Sequence, residues 1–201
     1  MAQTAPRHVL TEAIWPAEGA GLWARRAVLV ALGVAIHIAA AKIAVPVWPS
    51  PVPITMGSFA VLMLGAAYGP RLGLATILVY MGLGAFGWDV FAGTSAELNG
   101  IEYMMGGTGG YLVGWVLATL ALGLAARRGW DRSIGGMAAA MAIGTVLVYV
   151  PGILWLGVLY GWDKPILEWG LYPFLIGDAL KLALAALIMP ALWKLVGNAR
   201  A

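Results

Sequence analysis

The chain has 201 residues, 62% of them hydrophobic and 10% charged, with a mean hydropathy of +0.87 and a formal net charge of +3. A soluble domain carries about a quarter charged residues, which excludes a water-soluble globular protein and indicates an integral membrane protein. The absence of cysteine excludes disulfides and thiolate metal sites. In such a chain a small basic excess sets topology and does not point to nucleic acid.

Residues 1–23 form a cytoplasmic N-terminal segment, either disordered or a short surface helix around Trp15. Arg7, His8, Glu12 and Glu18 occupy the place where a signal peptide needs an apolar stretch. Residues 24–201 form one membrane domain, whose first helix is predicted over 24–45. Ala27, Ala31, Ala35 and Ala39 recur there at four-residue spacing. Such a ridge admits close approach by another helix, from this chain or from a partner. His37 stands alone in that helix, with no second His or Cys near it. A hydrogen-bonded structural histidine is expected, and no metal ligand.

The segment 45–55 carries Pro46, Pro49, Pro51 and Pro53. Proline removes backbone donors and favours extended chain, so a stiff non-helical hairpin is predicted. Helices follow over 56–68, ended by Gly69-Pro70, and over 72–86. Both fall short of the ~20 residues of a full crossing. The segment 87–110 reads GWDVFAGTSAELNGIEYMMGGTGG, too long for a turn and too rich in aromatics and methionine for disorder. Within it Trp88 stands beside Asp89. Gly106 to Gly110 (GGTGG) opens a helix over 109–126, where glycines let backbone approach a ligand and offer N–H groups to oxygens. Gly110, Gly114 and Ala118 extend as a small-residue packing ridge, matched by Gly136, Ala140 and Gly144 on a helix over 134–160. The last helix covers 171–196. Pro151 and Pro190 lie inside the last two helices and free the carbonyls of Leu147 and Ala186, predicting bends. Trp23, Trp48, Trp162, Trp169 and Trp193 fall at span ends, as an interfacial belt requires.

These elements make an all-α membrane protein of six transmembrane helices with both termini on one side. Arg7, Arg25, Arg26, Arg71, Arg127, Arg128, Arg132, Lys194 and Arg200 lie on that side, nine of the twelve basic residues. Segment 87–108 has Asp89, Glu97 and Glu102 and no Lys or Arg. The positive-inside rule therefore places both termini in the cytoplasm.

Asp178 and Lys181 interrupt the last helix two turns from its outer end. Ionisable groups at membrane depth cost a few kcal/mol each, so they persist with a partner or a task. Spacing of i, i+3 puts both on one face, where they neutralise each other or bind one molecule. Topology sets the pair in the outer half of the bilayer, under the two unusual loops.

Four stretches, PVPITMGSFAVLMLGAAYGPRLG, VYMGLGAFGWDVFAG, GGTGGYLVGW and YPFLIGDALKLALAAL, resemble in order and spacing the BioY family, the biotin-binding S-components of energy-coupling-factor (ECF) vitamin transporters. The resemblance covers about 45–187. It implies a six-helix S-component bundle with a biotin site near the extracellular surface. It also implies a partner module of one transmembrane coupling protein and two cytoplasmic ATPases, in a prokaryotic inner membrane. Two departures stand out: Met56-Gly57 replaces a family glutamine, and Asp89 and Gly107 replace family prolines.

A biotin site needs an acceptor for the ureido N–H groups, a donor for the ureido carbonyl, an apolar slot and a partner for the carboxylate. The resemblance points to Asp178, Lys181 and Tyr111. Position adds Thr108, Gly109 and Asn99 as polar contacts and Trp88, Phe91 and Met56 as apolar walls. Which end of biotin meets Asp178 or Lys181 stays open, and no cofactor is expected. The ridge Ala27, Ala31, Ala35, Ala39 is the expected docking face for the coupling protein. Rival readings are an S-component for another vitamin, an intramembrane enzyme pairing Asp178 with Glu102 or His37, and a small ion channel.

Overall fold

The computed structural model describes residues 8–93 and 98–198. Arg7, Glu97 and Arg200, used in the topological argument, lie outside the described residues. Five helices are long and apolar enough to cross a membrane: α2 (Ala20–Lys42), α3 (Gly57–Ala85), α5 (Gly109–Arg127), α6 (Ile134–Tyr160) and α8 (Tyr172–Asn198). Short helices flank or join them: α1 (Leu10–Ile14) before α2, α4 (Gly100–Met105), a 3-10 turn at Trp130–Arg132, and α7 (Ile166–Gly170).

The helix α3 is two limbs. Gly69 takes φ 77° and ψ 176°, a conformation open to glycine alone, and Pro70 begins the second limb. The limbs fold back on each other. A Cβ on Gly73 would lie 3.4 Å from the Gly65 Cα and 2.9 Å from Thr119 Cγ2. Ser58 and Tyr80, far apart on a straight rod, line one cavity. The kink thus divides α3 at Gly69-Pro70, where the sequence ends one helix and starts the next.

The helix α2 begins earlier and ends earlier than its predicted 24–45. Pro46 forces Val45 into extended backbone, and Ala44–Val45 (β1) pairs antiparallel with Ile54–Thr55 (β2), Ala44 opposite Thr55. The proline-rich hairpin is therefore real and closed by a short ladder. Helices α6 and α8 run continuously through Pro151 and Pro190.

Within the N-terminal segment, the short helix α1 and the residue before it pack onto the bundle. Val9, Leu10 and Ala13 are buried, and Val9 packs on the Gly69 turn. The hydroxyl of Thr11 donates to the Ala67 carbonyl at 3.1 Å. Arg127 donates to both Glu12 oxygens at 2.6 and 2.5 Å. Burial pushes the Glu12 carboxyl up, but the Arg127 hydrogen bond and charge outweigh it and hold Glu12 below the usual carboxylate value.

Close packing of α5 on α6 runs along the two small-residue ridges. A Cβ on Gly110 would meet the Pro151 carbonyl at 2.3 Å, and one on Gly114 would meet Val148 Cα at 2.6 Å and the Leu147 carbonyl at 2.8 Å. The carbonyl that Pro151 frees is thus covered by the bare face of a glycine. His37 is buried between Tyr80 (4.1 Å between centroids) and Trp115 (4.9 Å), its Nε2 without a hydrogen-bond partner. It is structural, as expected, but held by aromatic rings and not through a hydrogen bond at Nε2. Trp23, Trp48 and Trp162 are exposed as a belt requires, whereas Trp193 turns inward and donates to Asp131 at 2.6 Å.

The α5–α6 contact makes a stability prediction. Gly114→Val should cost about 1–3 kcal/mol through overpacking and lower the melting temperature in detergent. Gly135→Ala, on the same bundle with nothing within 4 Å of the new methyl, should leave it unchanged or slightly raised.

Candidate functional site

A cavity lies between the hairpin 44–55, the loop after α3 and helices α3, α5, α6 and α8. Asp178 and Lys181 face it from α8, with side chains 16% and 11% exposed. The α-helical repeat also carries Phe174, one turn before Asp178, onto the same face.

Lys181 Nζ donates to Asp178 Oδ1 at 2.9 Å, to the Thr55 carbonyl at 2.8 Å and to Ser58 Oγ at 2.9 Å. An ammonium has three donors, so Lys181 is fully engaged. The hydroxyl of Tyr149 donates to Asp178 Oδ2 at 2.5 Å. A carboxylate offers about four lone-pair directions, and two are taken here, so Asp178 keeps acceptor capacity toward the cavity. The Asp178–Lys181 pair is electrically neutral as a unit. What it offers a ligand is an acceptor edge flanked by the hydroxyls of Ser58 and Tyr149.

The remaining walls are aromatic and aliphatic. Phe91 is buried, stacks on Tyr103 (4.9 Å, 9°) and meets Tyr80 edge-on at 5.4 Å. Its ring lies over Gly84, where any Cβ would stand 2.1 Å from the ring. Lys42 holds the loop that carries Phe91, bonding Asp89 at 2.5 Å and the Phe91 carbonyl at 2.8 Å. The hydroxyl of Tyr80 donates to the Val90 carbonyl at 3.1 Å. On the other side, Ser50 Oγ donates to the Trp169 carbonyl at 2.6 Å, tying the hairpin to α7.

Of the residues singled out in the sequence, Asp178, Lys181, Tyr111, Thr108 and Phe91 converge on this cavity. Tyr111 also donates its hydroxyl to the Gly170 carbonyl at 2.8 Å, fastening α5 to the start of α8. Thr108 Oγ1 is buried short of a well-formed hydrogen bond. Four others are not brought there. Met56 stands at the turn from β2 into α3, with φ −79° and ψ −4°, and its side chain joins an apolar groove with Ile36, Phe59 and Leu192. Trp88 is 63% exposed in the turn that ends α3. Asn99 precedes α4 and is exposed beside Gly87. Gly109 packs on Trp155 and the Met104 carbonyl, and its N–H is spent on the Gly106 carbonyl at 3.0 Å.

The sequence reading missed Tyr149, Tyr80, Tyr103, Trp115, Phe174 and Ser58. Two had a signal: Trp115 stands one turn after Tyr111, and Phe174 one turn before Asp178. Tyr149 had a weaker one, a phenol in an aliphatic span that needs an acceptor. Glu102 is exposed, and His37 lies behind Tyr80 and Trp115, so neither stands with Asp178 in the cavity. The acid–base pairs proposed for an intramembrane enzyme are absent. Ala27, Ala31, Ala35 and Ala39 are all exposed, forming a ridge on the outside of the bundle that no other described element covers.

The BioY family model matches residues 9–198. A probable biotin transporter BioY of Pyrococcus horikoshii is 38% identical over 82% of this chain and 94% of its own length. The biotin transporter BioY of Thermotoga maritima is 32% identical over 80% of this chain and 91% of its own. In three dimensions the chain matches the crystal structure of the S-component for biotin from an ECF-type ABC transporter. The TM-score is 0.74 at 22% identity, over 89% of this chain and 95% of that one.

The bonding of Lys181 has a measurable consequence without any ligand. Lys181→Met leaves the Asp178 carboxylate buried and uncompensated and should cost about 3–5 kcal/mol. The double variant Lys181→Met/Asp178→Leu should recover much of that loss in thermal unfolding. A double variant as unstable as the single would contradict the pairing.

Proposed function

This chain belongs to the BioY family, and we propose on that premise that it captures biotin in the cavity beside Asp178 and Lys181, as the S-component of an ECF transporter. The supporting observation is a neutral, hydrogen-bonded carboxylate–ammonium pair set in an otherwise apolar and aromatic cavity. Biotin presents a neutral ureido ring, an apolar bicycle and an anionic tail. The ureido N–H groups fit the unspent acceptor sites of Asp178. The bicycle fits the walls made by Tyr80, Phe91, Trp115 and Phe174. The anionic tail does not fit beside Asp178, because like charges at that distance repel and every Lys181 donor is already engaged. The ureido end therefore meets the pair, and the tail extends toward the loops.

With α3 counted as two limbs, the long helices read as six crossings with both termini in the cytoplasm, the side on which the arginines gather. That topology places the cavity toward the outside of a prokaryotic inner membrane. An S-component carries no ATPase of its own, so uptake draws on a coupling protein and two cytoplasmic ATPases. The outward ridge Ala27, Ala31, Ala35, Ala39 is a surface for that coupling protein, since small side chains let a partner helix approach closely. Residues 1–23 belong to the cytoplasmic face and 24–201 to the substrate-binding domain.

Equilibrium binding of labelled biotin to the purified protein tests the substrate. Saturable binding below micromolar concentrations is expected, and no binding at micromolar biotin contradicts it. Asp178→Asn should weaken binding about ten- to a hundredfold, the worth of a hydrogen bond to a charged group. Ala31→Trp should leave biotin binding intact while reducing uptake and assembly with the coupling module. Equal loss of binding would assign the ridge to internal packing.

A further inference from the structure

The end of the bundle opposite the cavity carries a second concavity, a groove between α1, α2, the second limb of α3 and the end of α5. Four arginines line it: Arg25, Arg26, Arg71 and Arg127. Its single acid, Glu12, is spent on Arg127 through two hydrogen bonds. Arg26 lies over the Trp23 ring at 5.2 Å. Arg25 is the anomaly. It is 5% exposed, its Nε is buried without a partner, and among the described residues no hydrogen bond or ion pair engages its guanidinium. A buried, unpaired guanidinium is costly and calls for an anion.

Beyond the arginines the groove turns apolar. Val30 and Ala31 on α2 face Ala75 and Val79 on α3, so the groove borders the outward alanine ridge, and a chain lying in it and a partner helix on Ala31 exclude each other. From Arg71 to Val79 the wall rises about 12 Å at 1.5 Å per residue. A cationic mouth at the end of a membrane bundle, continued by an apolar wall along the helices, is the profile of one amphiphile with an anionic head. We propose that this groove binds a phospholipid with an anionic headgroup, its phosphate on Arg25 flanked by Arg26 and Arg71, and an acyl chain along the α2–α3 wall. Guanidinium meets phosphate through paired N–H donors. The three arginines not neutralised by Glu12 favour a net-negative lipid over a zwitterionic one. The inference rests on the bundle lying in a bilayer and is independent of the vitamin bound at the other end.

Native mass spectrometry of the full chain, released from detergent mixed with phosphatidylglycerol or phosphatidylcholine, tests this. One phosphatidylglycerol should be retained under conditions that strip phosphatidylcholine. Arg25→Gln and Arg71→Gln should each lower that retention about tenfold, whereas Arg128→Gln, outside the groove, should not. A melting temperature in detergent no lower than that of the parent chain certifies that the variants are folded, and Arg71, being exposed, serves if Arg25→Gln does not fold. Equal retention of the two lipids, or retention unchanged in both groove variants, overturns the proposal. So does full displacement by millimolar inorganic phosphate, which would make this a free-anion site. Loss of assembly with the coupling module in Arg25→Gln, with lipid retention unchanged, would likewise overturn it and assign the groove to an acidic protein segment.

Discussion

Everything around the cavity depends on how one lysine is satisfied inside a membrane helix. Lys181 brings a charge to a depth where charges are expensive, and its three donors reach three different parts of the chain. One goes to Asp178 on its own helix, one to the carbonyl that ends the proline-rich hairpin, and one to Ser58 at the start of α3. The hairpin, the first limb of α3 and α8 are thereby drawn to a single point. Asp178 brings in α6 as well, through Tyr149. A cavity persists there because the polar groups hold the elements together at their edges, while aromatic rings too large to interdigitate line the space between.

The roof is fastened differently from the walls. Small-residue ridges and glycine faces weld α5 to α6 and the two limbs of α3 to each other, leaving the long helices little freedom to separate. The hairpin and the loop after α3 are held by side chains: Ser50 to Trp169, Tyr80 to Val90, and Lys42 to Asp89 and Phe91. Bonds of this kind break and re-form without disturbing a spanning helix. That division suits a protein that must admit a small molecule from one side of a membrane and keep its bundle intact. The Asp89 that departs from the family proline is part of one such fastening.

Much of this was legible in the residues because each rested on a strong local rule. Gly69-Pro70 divides α3 since no other residue pair both ends one helix and starts the next so sharply, and Pro46 ends helical pairing by displacing Val45 into a strand. Asp178 and Lys181 stand out because apolar helices contain so few charges, and Tyr111 enters the same end because it opens α5 directly after the GGTGG stretch. Met56 stands apart because the chain turns from strand into helix at that residue, and the turn directs its side chain to the groove on the other side of the hairpin. Trp88 and Asn99 misled because a loop's path is set by tertiary fastenings such as Lys42–Asp89, which no local rule contains. The aromatic lining from Tyr80, Tyr149 and Trp115 was invisible for a similar reason. Each sits in a different helix, and only the crossing geometry brings them together.

The central claim is that the neutral pair on α8 receives the neutral end of biotin. A structure of the biotin complex tests it most directly. The account predicts a ureido nitrogen within about 3.2 Å of an Asp178 carboxylate oxygen, with the tail directed toward the loops and Lys181 still bonded to Thr55 and Ser58. A biotin carboxylate seated on Lys181, with the ureido ring at the loops, would contradict it.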